Sequence, residues 1–350
     1  MKQFLGTFVF TLVLILLISI VFDISEKIDD FYQRQAPIDA IISDYYLNFV
    51  VHYGLLFSSL FTFLAVIIST SKLANNSEII AILNSGMSVK RLLRPYFIGA
   101  AIIATVTFFC DNWILPKTNQ VRLDFEQQYI RKKKDERYKN IHRQISPDHY
   151  IFMESYNGKK QKGFRFSYEI FEQQQLISKF QSDFITWDTL EGKWLAESYS
   201  FRTIEEKGEK LEKGSKIYKD FGFAPEELVY KTNITSLMTL PNLIKFIEKE
   251  KIRGAENIHF FEIEKHHRAA APITTFVLTL IGFAVAIHKR RGGIGVNLVY
   301  GFVLTTLFIL FQKVAITFAT NSNLTPFMAA WLPNIVFGLY AYHLYRKANR

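Results

Sequence analysis

The sequence predicts an α-helical membrane protein with six transmembrane helices, three before and three after an external antiparallel β domain of jelly-roll type. Three observations carry that fold class. Six runs are free or nearly free of charge: Phe4 to Phe22, Val50 to Thr70, Tyr96 to Leu115, Ala269 to Ile287, Ile294 to Gln312 and Pro326 to Tyr345. Each reaches about 20 residues, the length an α-helix needs to cross the hydrocarbon core of a bilayer. Basic residues concentrate in a few short segments between runs, and a block of short aromatic stretches punctuated by turn residues separates the third run from the fourth.

The only charged side chain before the first run is Lys2. It is too long for the apolar region of a cleaved signal peptide and reads as a retained first span. The third run carries one acidic residue, Asp111, near its outer end, and the only cysteine, Cys110. A single cysteine excludes an intramolecular disulfide and a cysteine metal cluster; inside an apolar run it reads as a small packed side chain. Residues 1–115 thus form the first helical block, 116–268 the external domain and 269–350 the second helical block.

Within the external domain, 121–145 reads as a charged helix or extended stalk. Short apolar runs follow at Tyr150 to Glu154, Gly163 to Phe171, Leu176 to Trp187, Lys193 to Ile204 and Ile217 to Phe223. Gly208 and Gly214 read as breaks and Asn157-Gly158 as a hairpin signal. That spacing indicates an antiparallel sandwich or jelly roll. Its aromatic stripe, with Phe164, Phe166 and Tyr168, fits either an ordinary core or a mouth for acyl chains. A helical pattern returns at Leu240, and a charged approach leads to Arg268.

The net charge is +10, and Lys2, the segment Ser71 to Pro95, the turn Lys289-Arg290-Arg291 and the tail bases Arg346, Lys347 and Arg350 account for all of it. Short loops rich in Lys and Arg stay in the cytoplasm. Both termini and those two connections are therefore expected inside, with 116–268 outside. The basic excess is a topology signal, not a nucleic-acid footprint.

Catalytic patterns are missing. Gly158-Lys159-Lys160 and Gly192-Lys193-Trp194 lack the spacing of a phosphate-binding loop, and neither a zinc-protease helix motif nor a serine nucleophile elbow occurs. Asp111 lies away from the midplane, where ion-coupled carriers place ionisable groups. The densest polar cluster, Glu262-Ile263-Glu264-Lys265-His266-His267-Arg268, abuts the fourth span and reads as an interfacial anchor rather than a metal site. No catalytic residue, metal or cofactor is expected in this chain, and its energy source must lie in another.

The segment Lys72 to Ser88 is the most informative. Asn75 with Glu78 forms a variant capping box, Ile79, Ile80 and Leu83 give an apolar face, and Gly86 suits a left-handed C-terminal cap. A short amphipathic helix at about 76–86 is expected. Either it lies on the membrane surface, or it docks in the groove of a cytoplasmic ATPase, with apolar knobs and one carboxylate supplying the fit.

Ser77-Glu78-Ile79-Ile80-Ala81-Ile82-Leu83-Asn84-Ser85-Gly86-Met87-Ser88, followed by Leu92-Leu93-Arg94-Pro95, resembles the coupling-helix region of the lipopolysaccharide export permeases, the LptF/LptG family. The stretch His266-His267-Arg268-Ala269-Ala270-Ala271-Pro272, running on to Lys289-Arg290-Arg291-Gly292-Gly293, and the stretch Ala330-Trp331-Leu332-Pro333-Asn334 are similar to the same family. Phe22-Asp23-Ile24-Ser25-Glu26-Lys27 leans toward LptG.

The resemblance implies a half-transporter of the bacterial inner membrane that pairs with a second related permease and a cytoplasmic ABC ATPase dimer, which uses the ATP. Lipopolysaccharide would be extracted and passed to a periplasmic jelly-roll bridge. The coupling glutamate falls on Glu78, among Ile79, Ile80, Leu83 and Gly86. An anionic, multiply acylated substrate needs cations at the outer interface, and Lys27, Arg34 and Lys313 are the candidates to rim its cavity. A mechanotransmitting ABC subunit is the competing reading, although such proteins place their large domain after the first of four spans.

Overall fold

The computed structural model describes residues 1–130, 137–205, 208–228, 234–252, 258–289, 292–321 and 324–349. Arg290, Arg291 and Arg350 of the basic segments, 131–136 of the expected stalk and 253–257 of the approach to Arg268 lie outside the described residues. The chain divides into two compact units: Met1–Arg131 with Thr235–Leu243 and His259–Arg350, and Lys132–Ile234 with Ile244–Ile258.

The first unit is helical. It begins with α1 (Lys2–Gln33) and α2 (Ile38–Ala40), then a π-helical stretch Ile41–Tyr46, α3 (Leu47–Leu56), α4 (Ser58–Asn75) and the short α5 (Glu78–Asn84). Next comes α6 (Val89–Phe109), which passes through a second π-helical stretch, Cys110–Ile114, into α7 (Leu115–Tyr129). The expected stalk therefore starts as a continuation of the third span. Beyond the β strands lie α8 (Pro225–Leu228), which falls in the second unit, α9 (Leu240–Ile252), which the division crosses after Leu243, and then α10 (Ile258–Ala286), α11 (Gly293–Asn321) and α12 (Pro326–Ala348).

Among the described residues five helices are long and apolar enough to cross a membrane: α1, α4, α6 with α7, α10 and α11. The sixth expected span, α12, has 23 residues, but Pro333, Asn334 and His343 lower its mean hydropathy. Small and polar residues bring these helices together. Both α1 and α11 pack on α4, and a Cβ on Gly301 of α11 would stand 2.3 Å from Ile67 Cδ1 of α4. Ser59 and Thr275 hydroxyls meet at 3.1 Å, and Thr274 Oγ1 donates to Asn334 Oδ1 at 2.9 Å. Such contacts hold helices together where lipid is as apolar as leucine.

The second unit is built on six antiparallel strands, β1 (Arg137–Ser146), β2 (His149–Asn157), β3 (Lys162–Glu172), β4 (Gln175–Asp188), β5 (Lys193–Glu205) and β6 (Gly208–Lys219), paired in chain order within one sheet. This is a plain meander of hairpins, where the sequence reading expected the two-sheet crossing of a sandwich or jelly roll. Residues 137–145, read as stalk, belong to strand β1 because Ile141 and Ile145 face the core while His142 faces away. Gly214 does not break β6. The Tyr199 ring occupies the space a side chain there would need, 2.5 Å from the Cβ position. Strand β6 stops at Lys219, and Phe221 and Phe223 turn back onto the core.

A line crosses all six strands at Asn140, Glu154, Arg165, Asp183, Ser198 and Ser215, where the cross-strand pairing is interrupted. Asn140, Arg165 and Ser198 adopt left-handed φ of 53°, 49° and 53°. The buried parity switches there: Ile151 and Met153 point inward on one side of the line and Tyr156 on the other. No pattern of strict alternation reveals such a line.

Candidate functional site

The α4–α5 junction is built from backbone turns. Helix α4 runs through Asn75, so the expected Asn75 cap does not form. Ser77 stands at the N-cap in a left-handed conformation, φ 63°, with no side-chain cap, while Asn76 Nδ2 donates to Glu78 Oε1 at 3.0 Å. Gly86 takes φ +87° and its N–H donates to the Leu83 carbonyl at 3.0 Å, as its predicted capping role requires. Ser88 then caps α6 by accepting from the Arg91 N–H.

The three apolar residues of α5 do not share one exposed face. Ile79 is 2% exposed in a cluster with Ala74, Val89, Leu93 and Ala348, and Leu83 packs against that cluster. Ile80 is 49% exposed. Ile79 and Leu83 fasten the helix to the body, while Glu78, Ile80, Ala81 and Asn84 point outward. A seven-residue helix is too short to persist alone, so this fastening gives the outward face its fixed geometry. The face offers one carboxylate, oriented by an amide, beside an exposed isoleucine.

The cation set is less uniform than its sequence suggests. Lys27 Nζ lies 2.5 Å from Asp23 Oδ1, contacts the Tyr45 hydroxyl and sits 4.9 Å from the Tyr45 ring centre. Asp23 also accepts from Tyr46 at 3.2 Å. Lys27 is therefore largely neutralised, above an aromatic cluster of Phe31, Tyr45, Phe49 and Phe125. Arg34 ends α1 and donates to the Gln128 carbonyl at 3.3 Å. Lys313 is exposed on α11. Lys27 and Arg34 lie two turns apart on one face of α1, and α1 and α11 flank the same helix, α4. Only 11% of the most apolar stretch of α1 and 22% of that of α11 is buried, against 61% for α4 and α10. The two helices carrying the cations thus expose long apolar faces.

Arg268, read as an interfacial anchor, is a buried brace. It is 3% exposed; its Nε donates to Glu264 at 2.9 Å and its two Nη atoms to the carbonyls of Met238 and Thr235 at 2.8 and 2.7 Å. In the β unit the aromatic stripe is a filled core. Phe166, Phe180 and Trp194 are buried with Phe221 and Phe223, and Trp194 Nε1 donates to the Phe223 carbonyl at 2.9 Å. The opposite sheet face carries a groove of about 600 Å³ that includes His142, Phe152, Arg165, Lys179 and Gln181. Its cations are paired, Arg165 with Glu154 and Lys179 with Glu169, each at 2.8 Å. Nothing in the sequence singled it out.

No curated protein matches the chain. The family described as lipopolysaccharide export system permease LptF/LptG matches residues 1–347 of the 350. That match takes in the α5 region, the Arg268 stretch and the Asn334 stretch together, and the chain belongs to the LptF/LptG family of lipopolysaccharide export permeases.

Proposed function

We propose that the chain is the permease subunit of an ABC transporter that extracts lipopolysaccharide from the inner membrane and hands it to a periplasmic bridge of jelly-roll proteins. A cytoplasmic ATPase dimer hydrolyses ATP and docks on the outward face of α5. A second related permease covers the apolar faces of α1 and α11. In this reading the termini, α5 and the α10–α11 turn are cytoplasmic, and the β unit is periplasmic, with Lys27, Arg34 and Lys313 rimming the glycolipid cavity. The observation that carries it is α5 itself: Ile79 and Leu83 anchor the helix and leave Glu78 and Ile80 presented outward.

Substituting Glu78→Ala tests the docking. Loss of a charge-assisted hydrogen bond costs about 1.5–3 kcal/mol, roughly a tenfold to hundredfold weakening of ATPase binding. The expected result is a chain that inserts and folds normally but retains less ATPase on co-purification and releases less lipopolysaccharide per ATP. Undiminished binding and release would return α5 to a membrane-surface helix. Photo-crosslinkers at positions 27, 34 and 313 should capture lipopolysaccharide above the level at position 193. Normal ATPase docking without any such capture would favour a mechanotransmitting subunit.

A further inference from the structure

We propose that Asn297 and Ser71 form a latch that fastens α11 to α4 just before α5, so that displacement of α5 passes to α11 as a rigid movement. Both are positioning residues. Asn297 Nδ2 donates to Ser71 Oγ at 2.9 Å, and the two residues are 2% and 0% exposed. Among the described residues the Asn297 Oδ1 has no hydrogen-bond partner, so the amide is held by this contact from one side only. One turn further along α11, Gly301 lets the backbone lie against Ile67.

At the other end of the latch, the start of α11 reaches the α4–α5 junction itself. Lys289 Nζ donates to Ser77 Oγ at 3.4 Å, and a Cβ on Gly293 would lie 3.7 Å from Asn75 Nδ2. Three successive levels thus tie α11 to the helix that leads into α5. No comparable tie is needed along its outer face, where Val299, Phe302 and Leu310 are exposed. Separating the pair leaves two buried polar groups that must find other partners, so the contact favours joint movement when one helix is pushed. The latch rests on the proposed docking of an ATPase at α5 for the source of the push, but the latch itself is a property of this chain.

The test uses the full chain in lipid nanodiscs on a Cys110→Ser background, with spin labels at position 81 on α5 and position 299 on α11. The unsubstituted pair should give one narrow distance distribution. Asn297→Ala and Ser71→Ala should each broaden it, the double substitution should broaden it no further, and the exchanged pair Ser71→Asn with Asn297→Ser should restore it. An unchanged distribution in Asn297→Ala, or additive broadening in the double variant, overturns the latch. Should Asn297→Ala lower the folded yield, Ser71→Ala carries the same decision.

With the ATPase added, the single variants should keep ATP hydrolysis while lipopolysaccharide released per ATP falls about threefold to tenfold, the effect of losing one intramembrane polar contact. An unchanged ratio also overturns it. If the unsubstituted assembly releases no lipopolysaccharide with ATP, the transport reading fails instead, and the distance measurement still decides the latch.

Discussion

The two units both bury apolar side chains but differ in what they expose and in how many polar side chains they bury with them. The β unit hides Phe166, Phe180, Trp194, Phe221 and Phe223, and its largely exposed strand β6 is mostly Lys, Glu and Gly. The helical unit exposes Phe10, Leu17, Phe22, Val299 and Phe302 and hides Ser58, Thr62, Ser69, Thr70, Ser71, Thr275, Thr279 and Asn297. The difference follows from the solvent each surface meets. Water drives apolar area inward at about 25 cal/mol per Å². Lipid supplies no such drive, so helices associate through close approach at small residues and through polar contacts. Stability in one unit therefore depends on filling volume, and in the other on keeping helices close.

The largest expected effect falls on the aromatic core. Trp194→Ala removes a fully buried side chain and leaves the Phe223 carbonyl without its donor. About 3–5 kcal/mol should be lost from the β unit. Hydrogen exchange on the full chain checks this: the amides of β4 and β5 should lose protection while those of α4 and α10 keep theirs. Equal loss in both units would mean that their stabilities are not separable in the way the comparison holds.

The helical counterpart is an overpacking change. Gly301→Leu places atoms where Ile67 and Phe63 already stand, 2.3 and 3.2 Å from the first added carbon. A cost of about 1–3 kcal/mol is expected, read as a lowered unfolding temperature in mild detergent. Val299→Leu, on the 67% exposed face of the same helix, serves as control and should leave that temperature unchanged. Equal sensitivity at 299 and 301 would erase the contrast between the exposed side of α11 and its packed one.

Much of this division was legible in the sequence. Charge-free runs marked the helices, and the antiparallel hairpins followed the alternation of aromatic and polar residues. Gly86 was correctly placed because only a left-handed cap explains a glycine there. Other features left no local signal. The tight β3–β4 turn uses Gln173-Gln174, with φ of 49° and 66°, in place of the Asn-Gly that such turns favour. The line of left-handed residues across the sheet reverses the inward parity, so alternation alone assigns the wrong face beyond it. At α5 the periodicity grouped Ile79, Ile80 and Leu83, but a helix resting on a body must spend part of its apolar stripe on that body. The reading of Lys27 as an available cation overlooks Asp23, a visible i,i+4 partner one turn earlier, whereas the Tyr45 hydroxyl meets it only through the fold. The resemblance carried on Arg268 and Asn334 picked out residues that prove to be internal ties, so a family-like motif marked architecture as readily as a site.

The finest test of the comparison is therefore one such tie. Thr274 Oγ1 donates to Asn334 Oδ1 at 2.9 Å, and Asn334 Nδ2 donates to the Ala270 carbonyl at 3.4 Å, so α12 is bound to α10 through one amide. Thr274→Val keeps the shape and removes the hydroxyl, leaving the Asn334 oxygen buried without that donor. In water-soluble cores an unpaired buried acceptor costs about 1–3 kcal/mol. Between membrane helices measured polar contacts average about 0.6 kcal/mol, because the separated helices find other partners. The expected loss is accordingly the smaller figure, measured by reversible unfolding of the full chain in bicelles. A loss at the soluble-core level would show that this interior behaves like the β core despite its lipid surroundings, and the solvent argument would then not extend to the α10–α12 contact.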